Sequence, residues 1–264
     1  MKEKHFILGG DVKISLTEGY QLNFKSLFKD AFNITKKNYL SLIIACIFTT
    51  AILLAGYALI IESMIDSDET LQLFTNLVFS AMVMTPLITG LQMMGVHHSI
   101  GLKTKATNLF NYYNIILKLA VASVIINVCV FLVTTLFTEF MGDIGVQLSL
   151  IVLLYLNMTF SFVYPLIAEK KLSPQLAIKI SFKLVNKNLR QFTLMHLLLG
   201  VLAVIAVLPS GLGLFLFIPF YFNLMGIVYR QVCGIGVVAS ESSKSDDNDN
   251  NDDHDDNNKS GFEA

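Results

Sequence analysis

Few side chains in this chain could do chemistry. His97 and His98 stand side by side, His196 lies within an uncharged stretch, and Glu169 ends another. Catalysis or ion coupling inside an apolar medium needs an ionisable group held where its charge is costly. No Asp or Glu falls inside any of the long uncharged runs. Adjacent helical residues diverge by about 100°, so His97 and His98 cannot both face one metal ion and are read as polar groups at an apolar boundary. His196, one turn into its run, is read as a hydrogen-bonding group between helices. No His-Glu-x-x-His, Gly-x-Ser-x-Gly or phosphate-cradling glycine loop occurs. The chain is read as non-enzymatic, with no catalytic, cofactor or metal site expected.

Two further sets of residues were candidates for ligands. Cys46, Cys129 and Cys233 are odd in number and unpaired in spacing, which fits buried free thiols rather than a disulfide framework or a zinc site. The run Asp246-Asp247-Asn248-Asp249-Asn250-Asn251-Asp252-Asp253 looks superficially like a calcium loop. It lacks the glycine and the closing glutamate that an EF-hand needs. Residues 240–264 are therefore expected to be a disordered acidic tail.

The elements that position these groups follow from charge and hydropathy. Of 264 residues, 54% are apolar and 15% charged, and the mean hydropathy is +0.61, too high for a domain with a solvated exterior. Runs without charge occupy about 39–61, 71–96 and 146–168, a further one extends from Gln191 to Tyr229, and 115–137 carries only Lys118. A helix crossing a core of about 30 Å needs about 20 residues. The last run, of 39 residues, would be about 58 Å long as one helix. It must fold back, and Pro209-Ser210-Gly211-Leu212-Gly213 is the place, giving runs of about 192–208 and 212–229. Thr85-Pro86 should bend the second run and free a carbonyl that a threonine or a neighbouring helix satisfies. Lys118 lies near enough to the start of the third run to snorkel to the interface. Gln92, Asn127, Asn157, Tyr164, Tyr221 and Asn223 are the polar groups inside runs. They are expected to hydrogen-bond between helices, at about 0.6–2 kcal/mol each, or to line a polar path.

Basic segments precede the outward runs. Phe24, Leu27, Phe28 and Ala31 recur at helical spacing while Lys25, Lys29 and Lys36 keep apart. Ala106, Leu109, Phe110 and Tyr113 repeat the pattern in a shorter segment beside Lys103 and Lys105. Ser173-Pro174 is a good helix start, and beyond it Lys179, Lys183, Lys187 and Arg190 project onto one stripe, with Ala177, Ile180, Leu184 and Val185 elsewhere. Such helices should lie along a membrane, apolar side in the acyl boundary and cations towards anionic headgroups. Lys25, Lys29, Lys36, Lys179, Lys183, Lys187 and Arg190 are thus the candidate lipid-headgroup contacts.

None of the nineteen lysines and arginines falls at 62–70, 138–145 or 209–213. The positive-inside rule then puts both termini and the basic connections in the cytoplasm. The tail after Ala239 takes nine of the 20 acids and two of the 19 bases, leaving 17 bases and 11 acids in the body, a surplus suited to anionic lipid. The chain thus reads as an all-α polytopic membrane protein with six transmembrane helices and basic amphipathic interfacial helices. Residues 1–23 form a short cytoplasmic lead-in with nothing cleaved, and 24–235 a six-span membrane domain. Basic segment, outward run and return run occur three times at intervals of about 75 residues, with Asn38, Asn114 and Asn188 just before each outward run. That pattern predicts three repeats of surface helix plus helical hairpin.

Ser26-Leu27-Phe28-Lys29-Asp30-Ala31-Phe32-Asn33, through Lys37-Asn38, resembles the opening of the YciC family of bacterial inner-membrane proteins. Pro165-Leu166-Ile167 followed by Leu172, Ala177, Ser181 and Asn188 resembles that family's later cytoplasmic connection. The likeness covers most of 24–235. More distantly the chain is similar to the membrane domain attached to some glycerophosphodiester phosphodiesterases, without their catalytic domain. The resemblance implies a multi-pass protein of the bacterial plasma membrane and transfers no site. The acidic tail departs from the family pattern.

The function expected is contact with anionic lipids or with another membrane protein at the cytoplasmic face, with no nucleic-acid partner. Lysines that merely fix topology are the plainer reading of the same stripe. A transporter or lipid translocator is the alternative, favoured by the kinks and the repeat and disfavoured by the lack of a buried carboxylate. A lipid-modifying enzyme would need Glu169, His97 and His98 to converge.

Overall fold

In a computed structural model, which describes residues 3–63 and 68–240, the chain is an assembly of helices closed by one short strand pair. The elements are β1 (Glu3–Leu8), α1 (Val12–Thr17), α2 (Phe24–Ser63), α3 (Glu69–Phe79), α4 (Thr85–Ser99), α5 (Ile116–Thr159), α6 (Val163–Glu169), α7 (Pro174–Lys187), α8 (Leu189–Val207), α9 (Leu214–Cys233) and β2 (Ile235–Ser240). A π-helical turn, Ser80–Met84, joins α3 to α4, and a 3-10 helix, Ala106–Ile115, precedes α5. The acidic tail from Glu241 onward lies outside the described residues.

Five helical stretches are long and apolar enough to cross a membrane: Phe24–Glu62, Thr70–Ser99, Ala106–Glu169, Leu189–Val207 and Leu214–Cys233. The third contains a reversal. Gly142 leaves the helical region (φ 55°, ψ −132°), a conformation that a side chain disfavours. A Cβ on Gly145 would overlap the Phe137 carbonyl, so the chain on either side of the turn is in backbone contact. Leu119 and Met158 share one core, although a straight helix would hold them about 58 Å apart. The eight-residue connection expected at 138–145 is therefore helix up to a single glycine. The other fold-back is where it was expected, with Ser210 and Gly211 at positive φ.

The core lies along α4 and α9. Half or more of each is buried, against about a fifth of α2, α5 and α8. The two central helices cross at Gly95 and Gly226, where a Cβ on Gly95 would strike the Phe222 carbonyl and one on Gly226 the Gly95 carbonyl. Small residues permit this approach in a medium where apolar burial gives little drive. The outer helices expose Leu117 (72%), Phe140 (82%) and Leu208 (77%) along with many other large apolar side chains. An apolar exterior of this extent suits a bilayer rather than water.

Prolines are handled as their chemistry demands. Thr85 Oγ1 donates to the Ser80 carbonyl at 2.8 Å within the π-helical turn ahead of Pro86. Pro219 in α9 supplies no amide to Phe215, and the Tyr39 hydroxyl on α2 donates to that carbonyl instead, at 3.3 Å.

Three expectations are corrected. Residues 106–115 form a 3-10 helix, whose tighter winding leaves only Leu109 of the expected apolar set buried. The apolar side of α7 meets protein, since Ala177, Leu184 and Val185 sit in the main core with Phe162 and Val163. Residues 3–23 are a structured strap: β1 pairs antiparallel with β2, Lys4 opposite Ala239 and Leu8 opposite Ile235. At the three junctions singled out by asparagine, the backbone leaves helical geometry at Asn38 (φ −116°, ψ 18°), Ile115 (φ −112°, ψ 19°) and Asn188 (φ −133°, ψ 48°).

Candidate functional site

The seven candidate cations are all exposed. On α2 they are turned outward by Leu27, Ala31 and Thr35, which are buried at i, i+4 and i+8. Lys25 and Lys29 point away from that stripe, and Lys36 Nζ stands 4.4 Å from the centre of the Phe32 ring, itself 53% exposed. On α7 the buried set is Ala177, Ser181, Leu184 and Val185. Ser181 Oγ donates to the Thr159 carbonyl at 2.7 Å and so fixes the rotation of the helix about its axis. Lys179, Lys183 and Lys187 then face outward. Ser173 does precede Pro174 at the helix start, but its hydroxyl makes no capping bond. The stripe is not continuous: Asn188 breaks it, and Arg190 belongs to the first turn of α8.

None of the seven makes an ion pair among the described residues; the pair present is Lys170 with Glu169, at 3.2 Å. Lys187 is partly engaged, donating to the Thr17 carbonyl at 3.1 Å. Cations without internal partners keep their full charge for an external anion, and each is worth about 1 kcal/mol beside an anionic surface.

The strap holds the base of this face. Ser15 Oγ donates to the Val232 carbonyl at 2.7 Å, and the Tyr20 hydroxyl to the Leu184 carbonyl at 2.7 Å. Asn188 Nδ2 donates to the Tyr20 carbonyl, and the Leu22 amide to Gln191 Oε1. Burial, aided by the nearby Cys233 thiol, pushes the Tyr20 hydroxyl above the usual phenol range.

The chemistry-bearing side chains are paired off separately. His98 is 1% exposed, enclosed by protein. Its Nδ1 lies 2.8 Å from Asn223 Oδ1 and its Nε2 2.8 Å from Thr104 Oγ1, while Asn223 Nδ2 donates to Thr35 Oγ1 at 3.0 Å. One arrangement satisfies every group: Thr104 donates to Nε2, Nδ1–H donates to Asn223, Asn223 to Thr35, and Thr35 to the Ala31 carbonyl at 2.7 Å. This chain ties α2, α4 and α9 together. Glu169 is engaged elsewhere, accepting from the Tyr229 hydroxyl at 2.9 Å and the Gly236 amide at 3.0 Å. Asn223 and Tyr229 are six residues apart on α9, about 9 Å, so His98 and Glu169 do not share a site.

The other polar groups divide. Asn127 Nδ2 reaches Ser123 Oγ at 3.0 Å and Ser80 Oγ at 3.4 Å, and Thr85 reaches Ser123 at 2.9 Å, an interhelical cluster of the kind expected. Among the described residues His196 and Asn157 bond carbonyls of their own helices, Phe192 and Leu153, against the expectation of bonds between helices. An Asn or His within an apolar run marks a polar contact but not its partner; Thr35 and Thr104 carried no signal of their own. Comparison of the chain with protein-family models, with curated proteins and with solved structures finds no match.

Proposed function

We propose that the protein crosses the membrane six times, with both termini and the basic connections in the cytoplasm. It acts without catalysis, through contacts of its cationic face with anionic lipid or with another membrane protein. The reversal at Gly142 supports six crossings, because it turns one of the five long apolar stretches into a hairpin. The observation that carries the functional reading is the outward set Lys25, Lys29, Lys36, Lys179, Lys183, Lys187 and Arg190, exposed and without carboxylate partners among the described residues. The resemblance to the YciC family favours the bacterial inner membrane, and the matching kinks at Asn38, Ile115 and Asn188 favour the threefold repeat.

Full-length protein reconstituted in nanodiscs of mixed lipid tests it. Phosphatidylglycerol should be enriched around the wild type, and a Lys179→Gln/Lys183→Gln/Lys187→Gln variant should lose most of that enrichment. Equal lipid composition around both proteins would leave the lysines as topology signals alone. The alternative of a lipid translocator draws on the π-helical turn at Ser80–Met84 and on Pro219. Proteoliposomes that move no fluorescent phospholipid between leaflets would remove it.

A further inference from the structure

A cavity of about 190 Å³ opens between the 3-10 helix with the start of α5 and the end of α6. Lys118, in the first turn of α5, and Lys171, just after α6, both line it, together with Asn111, Asn114 and Tyr112. We propose that this cavity binds the phosphate of one anionic phospholipid, an inference that rests on the reading of this end of the molecule as the one facing anionic headgroups.

The polar residues of the lining suit an oxyanion. Two ammonium groups supply charge, two carboxamides and a phenol supply directed donors, and no carboxylate contributes. The nearest acid in sequence, Glu169, already accepts from Tyr229 and Gly236 and pairs with Lys170. Among the described residues Lys171 makes no ion pair, and it lines the cavity.

Two backbone irregularities converge on the same place. Runs of 3-10 helix longer than three or four residues are uncommon, yet this one extends over ten. In that winding residues three apart eclipse, so Asn111 and Asn114 stand one above the other where an α-helix would stagger them. Lys171 adopts φ 54°, one of two non-glycine residues at positive φ among those described. Lys171 follows Lys170, the residue that caps α6, where left-handed backbone commonly ends a helix and redirects the chain.

The volume selects the ligand. Pockets that engulf a small molecule measure about 300–1,000 Å³; a smaller one admits a headgroup and leaves the rest outside. Leu117 and Val121, beside Lys118 on the outer surface of α5, are 72% and 50% exposed and offer an apolar track for acyl chains. A free phosphate presents the same anion without the chains, and the experiment separates the two.

Native mass spectrometry of the full-length protein in mild detergent, with phosphatidylglycerol added at equal amounts, counts lipids retained per chain. The wild type should keep one lipid through an activation step that strips the others. Lys118→Gln/Lys171→Gln should reduce that occupancy at least tenfold, and Lys118→Arg/Lys171→Arg should retain it. Lys179→Gln/Lys183→Gln should leave it intact. Unchanged retention in Lys118→Gln/Lys171→Gln overturns the cavity; if retention then falls in Lys179→Gln/Lys183→Gln, the proposed function stands while this inference fails. Inorganic phosphate or glycerol phosphate that displaces the lipid at equal concentration overturns the lipid as ligand. Phosphatidylcholine retained as well as phosphatidylglycerol overturns the requirement for net negative charge.

Discussion

Replacing Asn223 by leucine removes the middle of the chain that joins Thr104, His98, Asn223 and Thr35 while nearly keeping side-chain volume. In the native arrangement each hydrogen-bonding group has a partner. With leucine in place, His98 Nδ1–H faces apolar atoms; if the ring changes tautomer, the orphan becomes a bare nitrogen lone pair. Either way one buried polar atom is left without a partner, which costs about 1–3 kcal/mol. Thr35 loses one incoming bond but still donates to Ala31, so its share is small. Asn157→Leu is the control, since its amide reaches only the Leu153 carbonyl of its own helix and is exposed; a change within about 0.5 kcal/mol is expected there. Reversible unfolding in mixed micelles reads both variants. A double-mutant cycle of His98→Ala with Asn223→Leu should show coupling of about 0.5–3 kcal/mol, because the two groups share a bond. If Asn223→Leu behaves like Asn157→Leu, or if the cycle is additive, the network does not hold α2, α4 and α9 together.

Gly226→Ala should destabilise by about 1–3 kcal/mol through overpacking, because its methyl group meets the Gly95 backbone rather than a movable side chain; Gly200→Ala, with nothing within reach of its Cβ, should be neutral or slightly stabilising in the same unfolding assay. Glu169→Gln should loosen β2, since it weakens bonds to Tyr229 and Gly236, and limited proteolysis should then cut near residue 236 faster than in the wild type. Tyr20 predicts an alkaline effect: burial holds its folded value above the ordinary phenol value of 10.0, so its neutral form stabilises the fold below that pH, and the contribution fades as the unfolded chain ionises above it. Strap release, followed by the fluorescence of a dye attached at residue 18, should therefore rise above pH 10 in the wild type and lose that pH dependence in Tyr20→Phe.

The last two long helices were legible because an ionic group excludes itself from a bilayer, whereas α2 begins at Phe24, ahead of the expected 39, and α5 runs through the expected connection at 138–145. Leu189–Val207 and Leu214–Cys233 lie close to the expected 192–208 and 212–229. Periodicity also told which side of α7 is buried, but not against what. The stripe Ala177, Ser181, Leu184 is equally compatible with lipid and with the core it meets, and the packing against Phe162 and Val163 and the Ser181 bond to Thr159 distinguish them. The β1–β2 pairing was hidden because six-residue strands from opposite ends of the chain have no local signal for each other. The 3-10 helix escaped for a related reason: Ala106, Leu109 and Tyr113 fit helical spacing, while the winding is set by packing of Leu109 against Gly90 and its neighbours. Lys118 was visible as a lysine at an interface; that it shares a cavity with Lys171, 53 residues on, needed the fold.

Sidedness is the claim on which the rest depends, and labelling tests it directly. In a background with Cys46, Cys129 and Cys233 replaced by alanine, single cysteines at Lys183 and Asp143 are treated in intact cells with a membrane-impermeant maleimide. The account predicts labelling at 143 in intact cells and at 183 only after lysis. Labelling of 183 from outside, with 143 protected, would contradict it.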